Sequence, residues 1–210
     1  MDAGVILAAG DSTRMGFPKQ LAEIKDKPLL ELVIEKVNSN FELSTVVLGY
    51  ENELIQEKIN FYNSNILINE NWEEGIVSSI RTALFFYQEQ KQIENLIFFL
   101  GDQPEVKDEV ITKLLNNESY NLKILIPQYR YKLGFPILIP RQFWSKLELL
   151  TQNDTNEFQI SAYKDFNLID YLISSEVKIE KINFNFLGPT DYDEEKDFWE
   201  WENLLKKNDC

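Results

Sequence analysis

The chain has 210 residues, 44% of them hydrophobic, with 21 basic and 35 acidic side chains, no histidine and one cysteine, for a formal net charge of −14. That length can bury the core of one α/β domain, and the charge excludes the broad basic face on which nucleic-acid binding depends. The absence of histidine removes Ser-His-Asp and Cys-His chemistry and argues against zinc catalysis; magnesium-assisted phosphoryl or nucleotidyl transfer survives, because it needs positioning and charge neutralisation more than proton shuttling.

In chain order, a short apolar run from Gly4 to Leu7 predicts a first strand. The loop that follows, Leu7 to Leu21, reads LAAGDSTRMGFPKQL. Its exposed backbone N–H groups can gather round an anion, with Ser12 and Thr13 as hydroxyl donors and Arg14 and Lys19 as fixed positive charges. Gly10 and Gly16 permit backbone shapes, or a ligand approach, that a Cβ blocks. The loop is neither a P-loop, since Gly16 is followed by Phe17, nor a dinucleotide fingerprint, since Ser12 takes the place of the second glycine. A plain surface turn would not call for an arginine and a lysine beside it.

Pro28 suits the first turn of a helix whose apolar face is Leu29, Leu30, Val33, Ile34 and Val37. Thr45 to Leu48 and Ile66 to Ile68 read as short strands around a helix over Glu51 to Ile59. Trp72 to Gly75 reads as a turn, and Ile76, Ile80, Ala83, Leu84 and Tyr87 then recur at helical spacing. Leu96 to Leu100 is the most apolar run and predicts a central parallel strand. It ends in Gly101-Asp102-Gln103-Pro104, so Asp102 is expected at the same sheet edge as Gly10 and Lys19. There it can hold Mg2+, which prefers oxygen ligands, or it can cap the turn before a helix starting near Asp108.

Later come strands at Ile124 to Ile126 and Pro136 to Ile139, a helix face of Phe143, Trp144, Leu147 and Leu150, and a strand with a bulge over Val177 to Phe184. A terminal helix packing Phe198, Trp201 and Leu205 follows. The expected fold class is α/β: a single three-layer domain with a mostly parallel central sheet and helices on both faces. No run of about 18 apolar residues predicts a membrane span. The early first strand is expected to leave no room for a signal peptide, and the lone Cys210 suggests a reducing, cytoplasmic setting.

The pattern LAAG-x-S-x-R-M-G-x-P-K-Q-L resembles the signature of nucleotidyltransferases of the GT-A-like, nucleotide-diphospho-sugar transferase fold, closest to the MobA-like group and its molybdenum cofactor cytidylyltransferases. The cytidylyltransferase of the methylerythritol isoprenoid pathway has a similar opening but lacks the later Asp-Gln-Pro, which in the MobA-like group is the metal-carboxylate motif. The resemblance implies that Asp102 is the metal ligand and that Arg14 and Lys19 neutralise a triphosphate. It places Leu7, Ala8, Ala9, Gly10, Ser12, Thr13 and Gly16 around the nucleotide, with Ser78 and Ser79 of the NENWEEGIVSSIRTAL segment beside its base and ribose. It implies residues 1–126 as a nucleotide-binding half and 127–210 as an acceptor-binding half. By resemblance the nucleotide is CTP and the acceptor molybdopterin, with a transient molybdoenzyme contact. Ala8-Ala9 favours the cytidylyl branch over the guanylyl branch, whose loop has Gly-Gly.

The chain departs from the family pattern in three places. Gly134-Phe135-Pro136 stands where Gly-His-Pro is common, and Asn153 to Phe158 where a Gly-Asp-x-Gly-Ala-Arg loop is common. Asn183-Phe184-Asn185 stands where Asp-x-Asp is common; asparagine offers a metal a carbonyl oxygen without the charge. Two alternatives therefore stay open: a sugar- or polyol-phosphate nucleotidyltransferase, and a non-catalytic nucleotide-binding module in cofactor maturation.

Overall fold

The computed structural model describes residues 1–11, 16–147, 168–175 and 177–190. Strands β1 (Asp2–Ala8), β4 (Leu43–Leu48), β5 (Asn65–Ile68) and β6 (Asn95–Leu100) pair in parallel, in the order β5-β4-β1-β6. The sheet continues through β8 (Ile137–Pro140), β7 (Ile124–Gln128) and β9 (Ile179–Asn183) to seven strands. Within it, β8 runs against both neighbours. The short connection from β7 into β8 requires this, since parallel neighbours need a long crossover.

The strands are apolar on both sides because helices cover both faces. On one side lie α1 (Leu29–Asn38), α2 (Asn52–Lys58) and α4 (Asp108–Leu115), packing Leu30, Val33, Ile34, Ile55, Val110 and Leu114 against Ile6, Val46, Ile97 and Phe99. On the other lie α3 (Ile76–Gln88) and α5 (Leu168–Ser174), packing Ile80, Leu84, Tyr87 and Leu172 against Val5, Val47 and Phe98. This is the expected three-layer α/β domain.

Arg141 fastens the end of α3. It donates to the carbonyls of Tyr87 and Gln88 at 3.1 Å each and of Gln90 and Ile93 at 2.6 Å each, and lies 4.3 Å from the Trp144 ring centroid. Helix C-terminal carbonyls lack intrahelical partners and carry partial negative charge, so a guanidinium satisfies both needs.

A two-stranded hairpin of β2 (Glu23–Ile24) and β3 (Lys27–Pro28), which the sequence did not announce, precedes α1. Its turn puts Lys25 and Asp26 at φ 50° and 61°, where glycine or asparagine is the usual signal. Pro28 caps α1 rather than entering it. The expected bulge in the last strand is absent: β9 pairs with β7 without interruption from Ile124–Ile179 to Gln128–Asn183. The Phe143–Leu150 helix is a 3-10 turn, Arg141–Phe143, that runs on as helix to 147 and buries Trp144 and Leu147, while Leu150 lies outside the described residues, as does the terminal helix of Phe198, Trp201 and Leu205. Helix α5 was not anticipated.

Lys27 and Tyr62 both donate to Glu35, at 2.7 and 2.6 Å, and these hydrogen bonds, that from Lys27 first, hold the Glu35 carboxyl below its ordinary value. A carboxylate with a lowered native pKa contributes stability above its unfolded pKa and loses it as pH falls through the native one. Glu35→Gln is therefore expected to be less stable than the wild type above about pH 4.5. The gap, small because the pair is more than a third exposed and screened by water, should close on acidification in urea titrations. A gap of unchanged size at low pH contradicts this.

Candidate nucleotide site

β1 and β6 are neighbours in register, with Leu7 beside Leu100, so both discharge their loops at one edge. The pairing extends past the strand, with Gly101 N–H donating to the Leu7 carbonyl at 2.9 Å. A Cβ on Gly101 would come within 2.8 Å of the Ala8 Cβ, and one on Gly49 within 2.8 Å of the Ala9 carbonyl oxygen. Glycine at 49 and 101 thus lets three strand ends close together. From sequence Gly101 entered only as the start of the turn that carries Asp102, and Gly49 not at all, because a lone glycine after an apolar run has no distinguishing signal.

The two loops meet through charge. Lys19, at the start of a 3-10 turn, Lys19–Leu21, places its Nζ 2.5 Å from Asp102 Oδ2. The side chains are 20% and 13% exposed, so the pair is only partly screened by water. Gln20, next in sequence, is buried; its Nε2 donates to the Ala8 carbonyl at 2.8 Å and the Gly10 carbonyl at 3.3 Å. This clamps the loop back on the strand it leaves and fixes where Lys19 points. Sequence reasoning passed over Gln20, although a glutamine between Lys19 and the apolar Leu21 was the available signal.

Opposite, the start of α3 forms the second wall. Asn69, also buried, donates to the hydroxyls of Ser78 and Ser79 at 2.7 and 3.0 Å and accepts the Asn71 N–H at 3.0 Å. Ser78 donates onward to the Gly75 carbonyl at 2.7 Å, so its proton is committed to its own loop, whereas Ser79 lines the cleft. Asn69, which opens the NENWEEGIVSSIRTAL segment, is the hub that shapes this wall. Trp72 packs edge-on against Tyr50, ring centroids 5.4 Å apart, and also lines the cleft. Arg81 pairs with Glu74 at 2.6 Å across the turn.

Together Ala8–Gly10, Lys19, Trp72, Ser79 and Asp102 bound a cleft of about 200 Å³. Leu7, Ala8 and Ala9 form its nearly buried floor. A Cβ on Gly10 would meet nothing within 4 Å, and Gly16 has φ +71°, a conformation that favours glycine. Ser12, Thr13 and Arg14 lie outside the described residues. Asn183 ends the edge strand β9 and is exposed, as is Asn185; Asp191 and Asp193 lie outside the described residues.

No group of three acidic or cysteine side chains among the described residues forms a ready metal cage. Asp102, the one carboxylate among the described residues that line the cleft, fits magnesium that keeps waters and shares a nucleotide's phosphates, rather than calcium in an all-protein cage.

A family model for the MobA-like NTP transferase domain matches residues 4–165. The chain belongs to that family. Among curated relatives of this MobA-like chain, the bifunctional protein GlmU of Thermosipho melanesiensis is 27% identical over 184 residues, covering 85% of this chain and 39% of its own. The probable molybdenum cofactor guanylyltransferase of Aquifex aeolicus is 33% identical over 112 residues, 53% of this chain and 51% of its own. The alignments thus span about half or less of these relatives' length. Among solved structures, the manganese complex of Rv0371C from Mycobacterium tuberculosis superposes with a TM-score of 0.75 over 96% of this chain and 98% of its own, at 20% identity. That likeness carries the fold.

Proposed function

We propose that this MobA-like chain transfers a nucleoside monophosphate from a nucleoside triphosphate, with CTP favoured, to a phosphomonoester acceptor of the molybdopterin kind, releasing pyrophosphate. The observation that carries the proposal is the meeting of Lys19 and Asp102 at one cleft, from two loops 83 residues apart in sequence. In this reading residues 1–126 bind the nucleotide and residues 127–210 the acceptor. A molybdoenzyme is the transient recipient of the product, and the cytoplasm its setting; no helix among the described residues is long and apolar enough to cross a membrane.

The acceptor's phosphate oxygen attacks the α-phosphorus, and the bond from that phosphorus to the β-phosphate bridge oxygen breaks. A phosphate monoester is largely a dianion at neutral pH, its second pKa being about 6, so it needs no histidine to activate it. Lys19 holds negative charge on the triphosphate in place of its present partner, with Arg14 as a second cation. Ser79, Gly10 and the Ala8–Ala9 backbone fix the nucleoside, Gln20 keeps that backbone in place, and the segment that carries Ser12, Thr13 and Gly16 takes the phosphates. Asp102, released from Lys19, holds the divalent ion. A magnesium ion held there would spread the charge that develops on the phosphate oxygens. The manganese complex of the structural neighbour supports a divalent ion in this fold.

The name of the Aquifex relative favours GTP as a second reading. Pyrophosphate release with molybdopterin, Mg2+ and each triphosphate in turn tests both: the proposal expects CTP to be preferred about tenfold or more, a margin worth about 1.4 kcal/mol. GTP preference moves the chain to the guanylyl branch. Release with sugar phosphates alone replaces the acceptor, and nucleotide binding without release from any acceptor makes the chain a binding module.

A further inference from the structure

Three cations gather on one surface of this acidic molecule, and among the described residues none of them is paired with a carboxylate. Lys107 Nζ lies 4.0 Å from the Phe186 ring centroid, and Lys113 Nζ 4.7 Å from that of Phe184. The two rings are 5.3 Å apart. Arg130 faces the Tyr131 ring at 5.8 Å, and its N–H donates to the Phe186 carbonyl at 3.0 Å. Aromatic faces hold these cations in place without cancelling their charge. The neighbouring carboxylates are otherwise engaged: Glu105 accepts the Thr190 N–H, and Asp108 pairs with Lys36. Glu109 is exposed at the first turn of α4.

The surface is firm underneath and open on top. Tyr129 is buried; its hydroxyl donates to the Phe135 carbonyl at 2.6 Å, and its ring lies against Gly134 and Gly188, where a Cβ would come within 3.0 and 2.9 Å. Two residues on, Tyr131 is 78% exposed at the tip of the hairpin. Tyr131 thus stands exposed beside Arg130 at the end of a packed base, within reach of a ligand.

The rim lies on the α4 face of the sheet, opposite the α3 wall of the cleft, and shares with the cleft one sheet edge. β7 and β6 both run against β8, so they run the same way, and the hairpin after β7 emerges at the edge that carries Asp102. They are two strands apart, about 10 Å at the usual spacing of about 4.8 Å. Lys107 follows Asp102 by one short loop.

We propose that this cationic aromatic rim receives the acceptor. The ligand class is a phosphomonoester with a flat ring: Tyr131 takes the ring face, while Lys107 and Arg130 offset its negative charge as the phosphate turns toward Asp102. The inference rests on the nucleotidyl-transfer reading above and gives it an acceptor flank. The full-length protein is tested with two probes, 4-nitrophenyl phosphate and glucose 1-phosphate, by ligand-observed NMR titration, with triphosphate and Mg2+ binding measured on the same samples. Tyr131→Ala should weaken 4-nitrophenyl phosphate by about fivefold, matching about 1 kcal/mol of ring contact, and leave glucose 1-phosphate unchanged. The double variant K107A/R130A should weaken both probes by at least about fivefold. Triphosphate binding should stay within about twofold throughout. Probe binding that is unchanged in these variants, or absent from a wild type that does bind triphosphate, overturns the inference. So does a loss, in the same variants, of binding to a poly-glutamate peptide titrated as a third ligand with both phosphate probes unaffected, which makes the rim a protein-docking surface. Failure of the wild type to bind triphosphate at all overturns the nucleotidyl-transfer reading instead.

Discussion

Asp102→Ala is expected to reduce metal-dependent pyrophosphate release by at least about a hundredfold, the loss typical of removing one group that stabilises transition-state charge. The reason is geometric. Asp102 supplies the carboxylate at the cleft mouth, and the described residues offer no acidic cluster to replace it. The same change removes the carboxylate that Lys19 holds at 2.5 Å, which adds a structural component to the loss. Asp102→Asn separates the two: it keeps the shape and an oxygen but not the charge, and circular dichroism checks the fold. Both variants should fold and both should lose turnover. Turnover at the wild-type level by a folded Asp102→Ala protein removes the carboxylate from the mechanism.

Arg141→Ala is expected to lower stability by about 3 kcal/mol, since hydrogen bonds to charged groups contribute about 1.5–3 kcal/mol each and are not additive. One guanidinium reaches two carbonyls at the end of α3 and two in the loop that follows, and covers Trp144. In a domain of this size that loss lowers Tm by roughly 6–12 °C. Arg141→Lys should recover only a minor part, because an ammonium lacks the planar fork that serves several acceptors at once. Scanning calorimetry decides; a fall of less than about 2 °C for the alanine variant contradicts the capping role. Turnover of the variant well below its Tm should be near normal, since Arg141 does not line the cleft.

The sheet was legible because its central strands are buried on both faces and so read as unbroken apolar runs, as Leu96 to Leu100 does. Lys19 and Asp102 were legible as a pair because parallel strands bring their C-terminal loops to one edge. What escaped has physical reasons. The β2–β3 turn uses Lys25 and Asp26 in left-handed backbone without glycine, so no turn signal marks it. Gln20 and Asn69 are buried polar residues whose value lies in what they touch, and residue type alone says they belong outside. The bulge expected between Val177 and Phe184 came from a slip in alternation, but the half-buried Ile179 at the sheet edge produces that slip with the ladder intact. The expectation that Ser78 and Ser79 would both face the nucleotide assumed equal neighbours; helical geometry turns one into the Gly75 loop and the other into the cleft.

The cation at Lys19 and the acid at Asp102 stand as two halves of one triphosphate–metal site, and a crystal soaked with CTP and Mg2+ interrogates that most directly. The account predicts the triphosphate against Lys19, with the lysine drawn off Asp102 and the ion bound to the freed carboxylate. A triphosphate lodged elsewhere, or an ion that leaves the Lys19–Asp102 pair intact, contradicts it.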